Sequence, residues 1–213
     1  MSKIKIKNSN QKIADILLKI GCVNINFKKQ FTLTSGKKSP VYVDCRKLVS
    51  FPKEREIVIN EMTKMIRKKY KGNILVAGGE TAGIPYSSFI CQKLKLPMIY
   101  IRKKPKGFGK GKLIEGEYKS KSKSILIEDM ATDGGSKIHF IKAMRKSKLT
   151  VKDIFVVFFY KIYPSAKRNI NKMRVNLNYL TSWPDILEVS PNYISNSEYL
   201  KLKEYLFQIS NGK

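Results

Sequence analysis

Acidic residues are scarce in this chain: 16 aspartates and glutamates stand against 43 lysines and arginines, for a formal net charge of +27. Cysteine is scarcer still. Cys22, Cys45 and Cys91 are too few and too widely spaced for a zinc cage or a disulfide framework, so they read as reduced core or half-buried thiols. No stretch approaches the ~18 consecutive apolar residues of a membrane helix, and the basic start MSKIKIKNSN has no apolar segment behind it. A cytoplasmic location is expected, with no membrane partner. No internal repeat and no Pro- or Gly-rich linker divides the 213 residues, so one domain spanning 1–213 is the expectation. The hydrophobic fraction of 42% and charged fraction of 28% exclude disordered, collagen-like and coiled-coil classes.

The positive charge has three readings. Clustered cations attract polyanions; lysines spread over solvated faces attract nothing specific; and a small, highly phosphorylated substrate needs cations at its pocket only. Runs such as RKKYK at 67–71 and YKSKSK at 118–123 lack the aromatic interleaving of a nucleic-acid stacking surface. Dispersal is therefore preferred, and a nucleic acid is not the expected partner.

Ile13, Ile16, Leu17 and Ile20 recur at helical spacing and predict an amphipathic helix covering a sheet. In 27–45, FKKQFTLTSGKKSPVYVDC, two β-rich stretches flank SGKKSP, which predicts a hairpin or paired extended strands. Pro52 suits the first turn of a helix that ends near Tyr70. Beyond it, apolar strands at 73–78, 97–102, 124–129 and 153–160 alternate with helical stretches at 84–94 and 136–146. That alternation predicts a doubly wound α/β fold, its mostly parallel sheet flanked by helices. A further strand at 175–180 and a closing helix at 195–209 complete it. The glycine- and lysine-rich segment between the strands, 103–123, is too long for a simple connection and reads as a functional, mobile loop.

The strongest chemical signal is ILIEDMATDGGSK at 125–137. A buried strand ends in two acids, Glu128 and Asp129, and passes through a small-residue turn into a helix. Ligands of open α/β sheets bind at the carboxyl ends of strands. Gly134 and Gly135 let the backbone close on a phosphate, to which Thr132, Ser136 and the helix N–H groups donate. The acids would repel that phosphate, so their targets are sugar hydroxyls or a bound Mg²⁺.

This order of residues resembles the phosphoribosyl pyrophosphate signature of type I phosphoribosyltransferases. FTLTSGKKSPVYVDCR at 31–46, GGETAGIP at 78–85 and RKKPKGFGKGKLIEG at 102–116 resemble, in order and separation, the orotate phosphoribosyltransferases in particular. The resemblance covers roughly residues 10–165. It implies the type I fold with a small N-terminal hood over 1–50 and a flexible catalytic loop, and Mg²⁺-dependent transfer of the 5-phosphoribosyl group to orotate, with inversion at the anomeric carbon, in pyrimidine (UMP) synthesis.

Position by position, the resemblance implies that Glu128 and Asp129 hold the ribose hydroxyls and that Met130, Ala131, Thr132, Asp133, Gly134, Gly135 and Ser136 surround the 5-phosphate. Arg102, Lys103 and Lys106 meet the pyrophosphate, with Lys103, Lys106 and Asp129 taken as catalytic. Gly78, Gly79, Glu80 and Thr81 meet it from the opposite side. Tyr42, Val43 and Thr132 face orotate, with Lys161 the nearest match in sequence to an orotate-side cation. Mg²⁺ is held mainly by the substrate, with Asp129 as the protein ligand. Loop cations are shared across a homodimer in this family, which makes each active site composite, and an orotidine 5-phosphate decarboxylase is a partner the pathway offers. Thr34, Ala82 and Phe108 stand where several members carry Lys, Lys and His, and Lys104, Lys110 or Lys112 are the expected compensation. His139, on the helix after the signature, is expected to be a surface or half-buried residue. The alternatives are transfer to another base and a non-catalytic nucleic-acid-binding regulator on the same fold.

Overall fold

The computed structural model describes residues 4–33, 36, 38–105 and 112–212, the side chain of Ser136 excepted. Helix α1 (Ser9–Lys19) begins where the Asn8 side chain accepts the Gln11 N–H at 2.9 Å, one turn before the expected start. Strand β1 (Val23–Ile25) follows, then β2 (Phe31–Thr32), β3 (Lys38–Ser39) and β4 (Val41–Val43). The expected pairing in 27–45 is present as the β2–β3 hairpin, while β4 runs back antiparallel to β1, a strand that the sequence had not indicated. A short 3₁₀ turn, Cys45–Ser50, leads into α2 (Pro52–Lys69), which opens on its proline and ends at Tyr70.

The central sheet is built from β5 (Leu75–Gly79), β6 (Met98–Ile101), β7 (Ile114–Glu115), β8 (Lys123–Ala131), β9 (Thr150–Phe159) and β10 (Asn176–Ser182), in the order β10-β9-β8-β5-β6-β7. Every pair is parallel except β6–β7. Helices α3 (Gly83–Leu94), α4 (Gly135–Lys146) and α5 (Pro164–Met173) make the crossovers, and α6 (Trp183–Val189) and α7 (Asn196–Ser210) close the chain. The α/β architecture is the expected one. Besides β1, three further elements were not anticipated: α5, α6 and the two-residue β7, which returns the 103–123 segment to the sheet edge opposite Tyr100 and Ile101.

Alternate side chains on each strand enter two separate cores, as the pleat requires. Val76, Ile125, Ile127, Phe155 and Val157 pack with α1, α2, α3 and the N-terminal strands. Leu75, Ala77, Leu126, Ile154 and Val156 pack with Phe140, Ile141 and Met144 of α4 on the other face. Winding proceeds outward from β5 through β6 to β7, then returns to β8 and outward to β10. The order therefore reverses between β5 and β8, and the crevice at their carboxyl ends is where such sheets hold ligands.

Candidate active site

Two loops leave the sheet at this switch point. Strand β5 ends in Gly78 and Gly79 and turns through Glu80 and Thr81, whose peptide bond is cis, into α3. Strand β8 runs two residues further than the sequence suggested, through Met130 and Ala131, whose carbonyl accepts the Tyr160 N–H at 2.9 Å. The turn proper is Thr132 to Gly134. Gly134 takes φ of 79°, a left-handed value that glycine tolerates, and Gly135 starts α4. Asp133 stabilises the bend by accepting the Gly135 N–H at 3.0 Å, and the amide of Asn169, on α5, donates to the Asp133 carbonyl at 3.0 Å.

A cleft of about 620 Å³ opens above these loops, walled by Tyr42, Arg46, Glu80, Lys103, Glu128, Asp129 and Lys137 among others. A second hollow of about 670 Å³ shares Tyr42, Val43 and Met130 with it and adds Thr132, Asp133, Tyr160, Tyr163 and Tyr205. Tyr42, Val43 and Thr132, the residues assigned to the base, thus lie around one hollow. Lys161 does not join them: its ammonium sits 5.5 Å over the Tyr179 ring, against α6 and α7.

Glu128 and Asp129 are adjacent on a strand and so point to opposite faces. Glu128 follows Leu126 toward α4, where it ion-pairs with Lys137; both residues are 5% exposed. Burial pushes the Glu128 carboxyl up, and the Lys137 ammonium opposes that shift. Asp129 turns toward the N-terminal strands and also has a raised pKa, because burial outweighs Lys137 and the backbone N–H groups of Met130 and Asp129 itself. Beneath it, Arg46 binds Asp44 at 2.6 Å and the Tyr42 hydroxyl at 3.3 Å. The guanidinium holds Asp44 below the usual carboxylate range.

The pyrophosphate-side residues converge only in part. Lys103 lines the cleft, and its N–H donates to Glu80 Oε2 at 2.6 Å. Arg102 turns its guanidinium to the Lys104 carbonyl at 3.2 Å. Lys106 lies outside the described residues, as do Thr34, Phe108 and Lys110. His139 is exposed, as expected, yet it stands in the cleft wall with Nε2 3.3 Å from the Arg102 carbonyl.

Arg46, Lys137, Asn169 and Tyr205 are site residues that sequence reasoning did not name. Arg46 could have been found inside the YVDCR segment. Lys137 could have been found by noting that the third residue of a helix reaches back over the strand before it. Asn169 and Tyr205 come from α5 and α7 and carry no local signal.

Among the described residues no cluster of three or more His, Cys, Asp or Glu side chains is arranged to hold a metal. Asp129 accepts from backbone N–H groups, and among the described residues no cationic side chain is in direct contact with it. One carboxylate of this kind suits a Mg²⁺ whose remaining ligands are substrate oxygens and water.

No protein-family model matches the chain. It is 43% identical over 176 residues to a curated relative from a Ruegeria species named orotate phosphoribosyltransferase, covering 82% of this chain and 78% of that one. Among solved structures it is similar to the UMP synthase of Leishmania donovani, with 29% identity and a TM-score of 0.78. That match covers 94% of this chain and 43% of the longer one. It is also similar to the orotate phosphoribosyltransferase of Aeropyrum pernix, with 25% identity, a TM-score of 0.72 and coverage of 86% and 99%.

Proposed function

The chain belongs to the orotate phosphoribosyltransferase family, and from that premise we propose that the cleft between the ends of β5 and β8 carries the family's reaction. The enzyme is a pentosyltransferase: it moves the 5-phosphoribosyl group from phosphoribosyl pyrophosphate to orotate, yielding orotidine 5-phosphate and pyrophosphate for pyrimidine synthesis. One observation carries the assignment of the cleft. The turn Thr132 to Gly134, the acids Glu128 and Asp129, and Lys103 meet at the reversal of strand order, around hollows large enough for a phosphorylated sugar and a base.

In this reading the N–H groups of the turn and of the first residues of α4 bind the 5-phosphate, aided by the Thr132 hydroxyl. Glu128 and Asp129 accept the ribose hydroxyls. Lys103, Arg102 and Lys106 face the pyrophosphate, opposite Gly79, Glu80 and Thr81. Orotate occupies the hollow of Tyr42, Val43 and Thr132; the side chain of Lys161, directed at Tyr179, leaves the orotate carboxylate to other donors.

As the anomeric C–O bond breaks, negative charge grows on the leaving pyrophosphate and positive charge on the sugar. Fixed cations at the first and carboxylates near the second lower the barrier electrostatically. Asp129 is the side chain that would help hold a Mg²⁺, which when bound would supply charge neutralisation for the leaving group. Exclusion of water from the cleft protects the activated sugar from hydrolysis. Two chains share loop cations in a homodimer in the cytoplasm, and a decarboxylase consumes the product.

The test is orotate consumption followed by absorbance with phosphoribosyl pyrophosphate and Mg²⁺, beside uracil, adenine and hypoxanthine. Orotate alone should be consumed, and a chelator should stop the reaction. Turnover of a purine in place of orotate would refute the base assignment.

A further inference from the structure

We infer that Lys137 is a positioning residue for the transfer, holding the Glu128 carboxylate in place for the ribose of phosphoribosyl pyrophosphate. The inference rests on reading the cleft as the phosphoribosyl site.

Lys137 occupies a position that a lysine should avoid. It is the third residue of α4, where the helix dipole disfavours a cation, and it is 5% exposed, where burial disfavours it again. What holds it is Glu128, whose Oε2 accepts its ammonium. Asp129 adds a second negative charge to its surroundings. The arrangement costs stability unless the pair is well satisfied, and it is satisfied on one side only. Glu128 Oε1 is buried and has no hydrogen-bond partner among the described residues.

That free oxygen is aimed at the other half of the site. A Cβ built on Gly79 would fall 2.1 Å from it, and one on Gly83 would fall 2.6 Å from it. Both glycines flank the Glu80–Thr81 turn. An unpaired buried carboxylate oxygen is destabilising, and a ligand hydroxyl that donates to it satisfies it. Lys137, bound to Oε2, fixes which oxygen of the carboxylate is left for a ligand. A displaced Glu128 would no longer present that oxygen to a sugar hydroxyl.

The same geometry bears on the missing lysines at Thr34 and Ala82. Lys104 and Lys112, the described loop candidates for compensation, are exposed and stand outside the cleft wall, whereas Lys137 is part of it.

The experiment is steady-state kinetics on K137M, K137R, K137Q, E128Q and E128Q/K137M in the full chain, with thermal unfolding alongside. K137M should raise KM for phosphoribosyl pyrophosphate about tenfold or more and leave KM for orotate within about twofold, and K137R should recover most of the loss. In the E128Q background, adding K137M should change that KM less than about twofold, because Lys137 then has no carboxylate to position. An equal effect in both backgrounds would make Lys137 a direct substrate contact and overturn the proposal, as would a K137M enzyme with unaltered constants. If K137M does not fold, the K137R and K137Q pair decides: equal values of KM for the two refute positioning by charge. Wild-type chain inactive on orotate would refute the reading of the cleft instead, which separates the two failures.

Discussion

The side-chain amide of Asn169 lies 3.0 Å from the carbonyl oxygen of Asp133, binding α5 to the turn that ends β8. The turn is held from both sides, since Asp133 also receives the Gly135 N–H at 3.0 Å. Preorganised N–H groups bind an anion without first having to be ordered. Asn169→Ala removes the hydrogen bond to the Asp133 carbonyl and a longer one to Asp133 Oδ2 at 3.5 Å, together worth about 1 kcal/mol, so KM for phosphoribosyl pyrophosphate should rise about fivefold with little change in kcat. Steady-state kinetics with each substrate varied in turn will check this; an unchanged KM would show that Asp133 alone holds the turn.

Gly83 lies where a methyl group has no room. A Cβ there would stand 2.4 Å from the Ile127 carbonyl oxygen and 2.6 Å from Glu128 Oε1. The first of these is backbone of a central strand and cannot swing aside. Gly83→Ala should therefore push the start of α3 away from β8 and cost about 3 kcal/mol or more of stability, within the range of severe overpacking. Gly79→Ala meets side chains only, Glu128 Oε1 at 2.1 Å and the Phe140 ring at 2.8 Å. It should spare the fold better and damage substrate binding more. Thermal unfolding and kinetics on the two variants will separate these outcomes.

Lys103 is the described loop cation that lines the cleft, and its backbone N–H is fixed by Glu80 Oε2 at 2.6 Å. A cation aimed at a leaving group acts mainly in the transition state. Lys103→Ala should lower kcat about a hundredfold, the order seen when one preorganised donor is lost, with unfolding temperature unchanged. Lys106→Ala should likewise reduce turnover far more than stability. Lys104→Ala and Lys112→Ala, whose exposed side chains stand outside the cleft wall, should leave the rate close to wild type. Rate constants from saturating orotate assays decide each case.

Much of this was legible in the sequence, and the remainder failed for identifiable reasons. Helix–strand alternation and the order of small and acidic residues at 125–137 foretold the parallel sheet and the loop at its carboxyl edge. Helix α5 escaped notice because SAKRNINKM is polar, with Ala166 and Met173 its only buried residues. Helix α6 did carry a signal, Ser182 and Asp185 forming a capping box with a proline at the start, in a stretch too short to show periodicity. Strand β7 has two residues and no pattern to read. The two acids read as a pair along the chain, yet the pleat sends Glu128 to Lys137 and Asp129 toward Arg46, and only tertiary packing reveals their partners. Lys161 looked near the base by sequence distance, but the end of β9 directs it to Tyr179.

Asp153 offers a test of stability remote from the chemistry. It is 5% exposed at the start of β9 and accepts from Lys69 at 2.6 Å, from the Tyr70 hydroxyl, and from Asn178 at 3.0 Å. Burial alone would raise its pKa, but these donors outweigh it and hold the group below the usual carboxylate range. A carboxyl with a lower pKa folded than unfolded contributes its full stabilisation above the unfolded value, about 3.9, and loses it as pH falls through the depressed folded value. Asp153→Asn should therefore cost about 2 kcal/mol at pH 7, since the buried acceptor loses the charge that strengthens its hydrogen bonds from Lys69, Tyr70 and Asn178. The difference from wild type should narrow steadily below about pH 4 and leave wild-type and variant curves converging in acid. Urea unfolding at a series of pH values gives both numbers directly. A gap that stayed constant down to the acid limit would mean that Asp153 acts through packing, with its charge irrelevant to the fold.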